Sequence, residues 1–184
     1  MLIGVDEVGR GCWAGPVVAG AVMLGRRYLP GIKDSKRLTR EQREELDLQI
    51  RSIAVAVGVG WALPEEVDEF GLTRATGLAM QRAVAEITKP YKEIVIDGNL
   101  NHFKDNPKAR TMVKADGILA CVGAASIVAK VARDNYMVKA AQEFPGYAFE
   151  KHVGYGTPAH QKALLELGIS KLHRKRFKPI ADLL

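Results

Sequence analysis

Two adjacent carboxylates, Asp6 and Glu7, close an apolar stretch that has the composition of a β-strand. Core packing would ask for another apolar side chain at this position. Neighbouring strand residues point to opposite faces, but a bulge or turn at the strand end can bring both carboxylates toward one ion. Taken alone, the pair is also compatible with a solvated strand end.

Two further acids follow apolar stretches in the same way. Asp97 ends the run 94–96, and Asp116 comes shortly after the run 112–113. Mg²⁺ and Mn²⁺ prefer oxygen ligands and bind through a few carboxylates together with substrate phosphate oxygens. Acids gathered at strand ends repel one another unless a cation lies between them. The pattern therefore favours a divalent-cation site.

The elements that would position these acids are indicated by local signals. A capping box, Thr39 with Gln42, opens a helix that runs to about Ile50. Alternating and continuous apolar runs predict strands at 2–7, 17–24, 53–61 and 93–97, and a weaker strand at 112–116. Apolar residues at helical spacing predict further helices at 64–89, 122–144 and 158–167. The order predicts an α/β protein in which helices flank a mixed central sheet, as one domain over 1–184.

Composition narrows the class of protein. The 184 residues include 27 Lys and Arg against 21 Asp and Glu, and this excess of +6 is compatible with a polyanionic partner. No apolar run approaches the ~20 residues that span a bilayer, and no leader-like segment opens the chain, so no membrane association is expected. Cys12 and Cys121 form no CxxC motif. Two isolated thiols suit a reducing cytoplasm, where we expect them to be buried and free.

An ordered series of short motifs resembles the type 2 ribonuclease H family, specifically ribonuclease HII. The motifs cover nearly the whole chain: residues 6–11 (DEVGRG) with 14–17 (AGPV), 33–36 (KDSK), 96–98 (IDG), 114–116 (KAD), 124–130 (AASIVAK) with Arg133 and Asp134, and 154–157 (GYGT). Each motif alone is weak, but the full series in this order is very specific.

The resemblance implies a ribonuclease H-like fold with a short helical C-terminal extension. It implies that Asp6, Glu7, Asp97 and Asp116 are the catalytic, metal-binding carboxylates, with Mg²⁺ or Mn²⁺ as cofactor. Two ions about 3.5–4 Å apart can activate a water and stabilise the leaving oxygen at phosphorus. The implied activity is endonucleolytic: hydrolysis of RNA paired to DNA, and a cut 5′ of ribonucleotides embedded in duplex DNA, leaving 3′-hydroxyl and 5′-phosphate ends. These substrates are the expected partners of a monomer.

The resemblance also assigns residues that sense the ribose and hold the duplex. RNA differs from DNA at the 2′-hydroxyl, and in the family the Gly9-Arg10-Gly11 segment contacts this group while Tyr155 works beside it. Phosphate contacts are expected from Lys33, Ser35, Lys36, Arg37, Ser126 and Lys130. The basic tail 171–178 also fits a strip that grips the duplex, and the four histidines, which have no metal-ligand spacing, are interpreted as surface or structural groups.

The chain departs from the family pattern at two positions. Arg176 stands where the family usually has Ser, and Gly123 replaces a more typical Ala. Neither position is one of the acids, so the departures bear on substrate contacts rather than on the chemistry.

Two other functions remain compatible with the residues. A DNA-processing nuclease on a ribonuclease H-like scaffold, such as a resolvase, would share the acids but would not need Gly9-Arg10-Gly11 or Tyr155. A non-catalytic nucleic-acid-binding module would use only the basic residues, and metal-dependent turnover would exclude it.

Overall fold

A five-stranded mixed sheet forms the centre of the molecule. The computed structural model describes residues 1–25, 31–32 and 38–184. The strands are β1 (Leu2–Val8), β2 (Val17–Leu24), β3 (Ala54–Ala62), β4 (Glu93–Asp97) and β5 (Ala109–Met112), in the order β3-β2-β1-β4-β5. The pairs β1/β2 and β2/β3 are antiparallel, whereas β1/β4 and β4/β5 are parallel. This is the mixed sheet that the sequence predicts.

Helices cover both faces of the sheet. They are α1 (Arg40–Ile53), α2 (Pro64–Phe70), α3 (Leu72–Ala85), α4 (Ala120–Glu143), α5 (Phe149–His152), α6 (Pro158–Leu167) and α7 (Lys178–Ala181). One face packs against α3 through Ile3, Val5 and Ala79 in the largest core cluster. The other packs against α4, and α1 lies outside that helix with Leu46 and Ile50 in a second cluster. The sheet is therefore buried on both sides, as in α/β proteins generally.

Local capping signals predict the helix starts correctly. The Thr39 side chain accepts from Gln42 N at 3.3 Å while Thr39 N donates to Gln42 Oε1 at 2.9 Å, which is the expected capping box. Thr157 caps α6 in the same manner by accepting from His160 N. Short polar side chains at these positions satisfy amides that have no partner within the helix.

Two predicted elements differ from the structure. The single helix predicted over 64–89 is two helices, because Gly71 between them has φ +80°, which no continuous helix contains. The weak strand predicted at 112–116 lies earlier, at Ala109–Met112, and Asp116 is on a separate 3₁₀ turn, Ala115–Gly117. Asp116 therefore approaches the sheet edge from a turn rather than from a strand end.

The parallel pairing of β1 and β4 brings two acids together. Val5 pairs with Ile96, so Asp6 and Asp97 come next along their strands, at the same carboxyl edge of the sheet. Side chains two residues apart along a strand lie on the same face of the sheet. Asp6 shares its face with Gly4, which lies against the backbone of Val122 in α4. Asp97 shares its face with Val95, which packs with Val122, so both acids lie on the face covered by α4. Elements predicted separately from the sequence thus meet at one site.

Candidate active site

The acids predicted from the sequence line one cleft at the carboxyl edge of β1 and β4. The cleft has a volume of about 460 Å³, and its lining includes Asp6, Glu7, Asp97, Asp116, Arg43, Ser126, Lys130 and Tyr155. A larger groove of about 950 Å³ lies between α3 and the loop 100–106, with Arg74 and His102 in its lining. We place the candidate active site in the smaller cleft, because four carboxylates line it.

The register of β1 differs from the expectation at Asp6 and Glu7. The ladder with β2 runs without irregularity from Gly4 to Val8, so the two acids are not brought together by a bulge. Asp6 is 7% exposed and faces Ser126 of α4, whereas Glu7 alternates to the other face and binds Arg10 Nη1 at 3.2 Å. Both side chains reach the cleft because the strand ends there.

Burial and mutual repulsion make the cleft an unfavourable place for several negative charges. Burial, followed by the charge of Glu7, raises the pKa of Asp6 to about 8, although a hydrogen bond from Ser126 opposes the shift. Asp97 adds to the repulsion. Burial also raises the pKa of Glu7, and its contact with Arg10 opposes that rise. A divalent cation would relieve this repulsion, so the oxygen-only donor set fits Mg²⁺ or Mn²⁺.

Backbone contacts hold Asp97 and Asp116 in place. Asp97 Oδ1 accepts from Ala115 N at 2.7 Å, which ties β4 to the 3₁₀ turn carrying Asp116. Gly123 of α4 allows that turn to approach closely, since a Cβ on Gly123 would lie 2.7 Å from Asp116 O. The Gly123 departure thus has a structural reason in this chain. Within the described ranges, no three acidic, histidine or cysteine side chains already converge as a set of metal ligands.

The residues predicted to contact substrate are only partly gathered at the cleft. Tyr155 is 41% exposed and lines it, and burial of its remaining surface raises the pKa of its hydroxyl, which keeps the proton available for donation. Lys130 also lines the cleft but forms an ion pair with Asp134 at 2.6 Å. Lys33, Ser35, Lys36 and Arg37 lie outside the residues that the structure describes.

The two glycines of the Gly9-Arg10-Gly11 segment differ in what the fold requires of them. Gly9 has φ +87°, and a Cβ there would lie 2.2 Å from Arg133 Nε, so the protein itself needs glycine. A Cβ on Gly11 would meet no atom of the described residues within 4 Å. Glycine at position 11, four residues after Glu7, therefore leaves open space that a ligand can enter.

The basic tail is exposed in part, and two of its residues are buried. The exposed basic side chains are Lys171, Lys175, Arg176 and Lys178. Arg174 is 0% exposed, and His173 is 1% exposed. In the sequence these two residues are part of a charge run and, with Phe177, resemble the C-terminal signature of the family. The burial of Arg174 follows only from partners that are distant in the chain. Arg43, which also lines the cleft, was missed as well, because nothing local distinguishes it from the other charged residues of α1.

A buried histidine pair gives a testable pH dependence of stability. Burial lowers the pKa of His160 and of His173 to about 4, and His152 and Tyr147 are the other titratable side chains that pack against the pair. The unfolded chain takes up protons below the ordinary pKa of 6.5, whereas the folded chain resists protonation until about 4. The stabilisation is complete above pH 6.5 and is lost as the pH falls toward 4, with a slope of at most about 1.4 kcal/mol per pH unit for each proton.

Urea unfolding between pH 7.5 and 4.5 measures this dependence. The raised pKa values of Asp6 and Glu7 act in the opposite direction over this range, so the series is best run on a variant that carries both Asp6→Asn and Glu7→Gln. A free energy of unfolding that stays constant or rises as the pH falls would contradict the assignment of neutral, buried imidazoles.

Comparison with solved structures identifies the class of protein. The ribonuclease H2 from Pyrococcus horikoshii OT3 superposes with a TM-score of 0.87 at 26% identity, with 99% of this chain and 96% of that chain covered. Bst ribonuclease HIII, solved in complex with Mn²⁺, has the same fold with a TM-score of 0.75 at 19% identity and covers 99% of this chain and 68% of its own. The fold is ribonuclease H-like, as the resemblance implied.

Sequence comparison then gives the family. The ribonuclease HII family model matches residues 3–180. The ribonuclease HII of Halorhodospira halophila is 47% identical over 185 residues, covering all of this chain and 94% of that protein. The chain belongs to the ribonuclease HII family, a family of endoribonucleases. Within the described part of the chain, no helix is both long enough and apolar enough to cross a membrane.

Proposed function

We propose that this enzyme hydrolyses the RNA strand of RNA–DNA hybrids and cuts on the 5′ side of ribonucleotides embedded in duplex DNA. The observation that carries the proposal is the meeting of Asp6, Glu7, Asp97 and Asp116 with Tyr155 around one cleft. We further propose that the chain acts as a monomeric, single-domain, cytoplasmic protein.

The four acids are proposed to hold divalent cations, Mg²⁺ or Mn²⁺. When bound, such ions supply an activated water and stabilise charge at the scissile phosphate. Asp6 and Asp97 are fixed by β1 and β4, and Asp116 is tied to Asp97 through the peptide N–H of Ala115. The protein thus presents its charges at one edge of a rigid sheet, so little reorganisation is needed when the phosphate arrives.

The groups proposed to recognise the ribose lie beside these acids. The Gly9-Arg10-Gly11 segment follows the end of β1, and the Arg10 side chain forms an ion pair with Glu7 there. Tyr155 enters the cleft from the chain between α5 and α6 and brings a hydroxyl and an aromatic face. Ser126 and Lys130 of α4 are proposed to contact the phosphate backbone, with Lys33, Ser35 and Lys36 as further proposed contacts.

Hydrolysis of a uniform hybrid tests the reaction type. An RNA strand paired to DNA is expected to be cut with Mg²⁺ or Mn²⁺ and to remain intact with chelator, and its products should carry 3′-hydroxyl and 5′-phosphate ends. Products ending in a 2′,3′-cyclic phosphate would identify the 2′-hydroxyl as the nucleophile and overturn the mechanism. Metal-independent binding without any cleavage would leave only a nucleic-acid-binding module.

The open space at Gly11 gives a prediction for ribose recognition. Gly11→Ala is expected to leave the free energy of unfolding unchanged, because the added methyl meets no atom in the part of the chain that the structure describes. The methyl would instead occupy the space proposed for the sugar and lower cleavage beside a single ribonucleotide about tenfold, the effect of ~1.4 kcal/mol in the transition state.

Gly9→Ala is the matched comparison, since it should destabilise the protein through its positive φ and its contact with Arg133. Unfolding curves and single-turnover rates on both variants separate the two roles. Full activity of Gly11→Ala would show that the substrate does not approach this peptide.

A further inference from the structure

Two consecutive buried residues, His173 and Arg174, connect the C-terminal segment to the interior. An isolated β-bridge pairs His173 with Ala14, and Arg174 N donates to Trp13 O at 2.8 Å. Both side chains continue from there toward the residues proposed to sense the ribose.

The Arg174 guanidinium binds three carbonyls of the segment that follows β1. Nη2 donates to Gly9 O at 2.7 Å, Nη1 to Arg10 O at 2.9 Å and Nε to Gly15 O at 2.9 Å. A planar guanidinium can make such a set in one orientation only, whereas a lysine ammonium is a single point donor. Arg174 therefore fixes the orientation of two successive peptide groups.

The orientation of those carbonyls determines where the peptide N–H groups point. All peptide bonds of the described residues are trans, and in a trans peptide the N–H is directed opposite to the C=O. Because the carbonyls of Gly9 and Arg10 face the buried guanidinium, the N–H groups of Arg10 and Gly11 face away from it. Neither N–H donates to another described residue, and both residues are exposed. Among the described residues they form a pair of free donors just after the strand end that carries Asp6 and Glu7.

His173 reaches Tyr155 through a second histidine. His173 Nδ1 lies 2.9 Å from Ser170 N, His173 Nε2 lies 3.0 Å from His160 Nε2, and His160 Nδ1 lies 2.9 Å from Tyr155 O. A peptide N–H can only donate and a carbonyl can only accept. His173 therefore carries its proton on Nε2 and His160 carries its proton on Nδ1. Each ring nitrogen of the two histidines then has a hydrogen-bond partner.

Several hydrogen bonds anchor the main chain at Tyr155: beside the His160 contact, Tyr155 N donates to His152 O and Thr157 N donates to Tyr155 O, each at 2.9 Å. Tyr155 lies between Gly154 and Gly156, whose lack of side chains allows close packing against Ala14 O and the Trp13 ring. The His160 hydrogen bond is the side-chain contact to the carbonyl of Tyr155 and thus helps to fix the position from which the Tyr155 side chain enters the cleft.

We infer that His173 and Arg174 are positioning residues for ribose recognition: Arg174 aims the N–H groups of Arg10 and Gly11, and His173 acts through His160 to place Tyr155. The inference rests on the proposed function, since it assumes that these groups contact the 2′-hydroxyl. One two-residue segment then couples both parts of the recognition site.

Arg174→Lys tests the first half of the inference. The substrates are two duplexes that differ only at one sugar, which carries either a 2′-hydroxyl or a 2′-fluoro group. Fluorine is a poor hydrogen-bond acceptor, so correctly aimed N–H groups favour the hydroxyl. The ratio of kcat/KM for the hydroxyl over the fluoro substrate is expected to fall about tenfold, the equivalent of one hydrogen bond of ~1.4 kcal/mol. A merely structural arginine would lower both rates and leave the ratio unchanged, which would overturn the inference.

A matched pair of variants at His160 tests the second half. An asparagine amide can place a donor near the position of the imidazole Nδ1, whereas phenylalanine keeps the ring volume without a donor. His160→Asn is expected to retain the 2′-hydroxyl preference better than His160→Phe. Equal preference in the two variants would overturn the role of the Tyr155 carbonyl contact.

Nitrogen-15 NMR of the histidine rings gives a readout that needs no activity. Long-range proton–nitrogen correlations at pH 7.5 are expected to show the Nδ1–H tautomer for His160 and the Nε2–H tautomer for His173. The opposite tautomers would overturn the chain of hydrogen bonds. If the tautomers are as expected but the wild-type enzyme shows no preference for the 2′-hydroxyl, the proposed function fails while the hydrogen-bonded chain stands.

Discussion

Asp97→Asn is expected to abolish cleavage of RNA–DNA hybrids while leaving the fold and duplex binding largely intact. Asparagine retains the side-chain oxygen that accepts from Ala115 N, so the link between β4 and the 3₁₀ turn is preserved. The variant removes one charge from a site proposed to hold a cation, and metal ions supply several kcal/mol of transition-state stabilisation. Since each ~1.4 kcal/mol corresponds to a factor of ten, the rate should fall at least about 10³-fold.

Duplex binding should survive because it depends mainly on phosphate contacts by basic residues. Single-turnover cleavage, hybrid binding in buffer that contains chelator and no Mg²⁺ or Mn²⁺, and thermal unfolding measure the three properties separately. Asp105→Asn is a suitable control, since Asp105 lines the larger groove rather than the candidate active site. Wild-type activity in Asp97→Asn would be incompatible with a metal-binding role for this residue.

Tyr155→Ala is expected to lower cleavage beside a single ribonucleotide about 10- to 100-fold, which corresponds to the 1–3 kcal/mol associated with a lost hydrogen bond in a desolvated site. The side chain is 41% exposed, so its removal should cost little stability. The backbone contacts of residue 155 with His160 and Thr157 do not involve the ring and remain available.

Tyr155→Phe separates the hydroxyl from the aromatic face. An intermediate rate for phenylalanine is expected if the ring packs on a sugar and the hydroxyl makes a separate hydrogen bond. Rates should be compared at a temperature where unfolding curves show all three proteins folded. Equal losses of stability and activity in Tyr155→Ala would make Tyr155 a structural residue.

Local signals in the sequence were sufficient for most elements of the fold. The Thr39 and Thr157 caps and the period of α4 are each specified within a few residues, and the structure confirms them. The break at Gly71 was missed because apolar spacing continues on both sides of it, and only the positive φ separates the two helices. The family and the mixed sheet were also predicted correctly from the ordered motifs.

The candidate site could be predicted as a set of residues but not as an arrangement. The strand pairing that brings Asp6 beside Asp97 joins positions about ninety residues apart, and no local pattern encodes it. Arg174 illustrates the same limit, because its partners Gly9 and Arg10 are 165 and 164 positions away in the chain. From the local sequence, a run of charged residues predicts solvated side chains, whereas in the folded chain the Arg174 guanidinium donates to three backbone carbonyls.

The most direct test is cleavage of a labelled DNA duplex that contains one ribonucleotide, beside an all-DNA duplex of the same sequence, with Mg²⁺, Mn²⁺ or chelator. We predict a single cut on the 5′ side of the ribonucleotide that requires the metal, and no cut in the all-DNA duplex. Equal cleavage of both duplexes, or cleavage that persists in chelator, would contradict a metal-dependent enzyme that recognises the ribose.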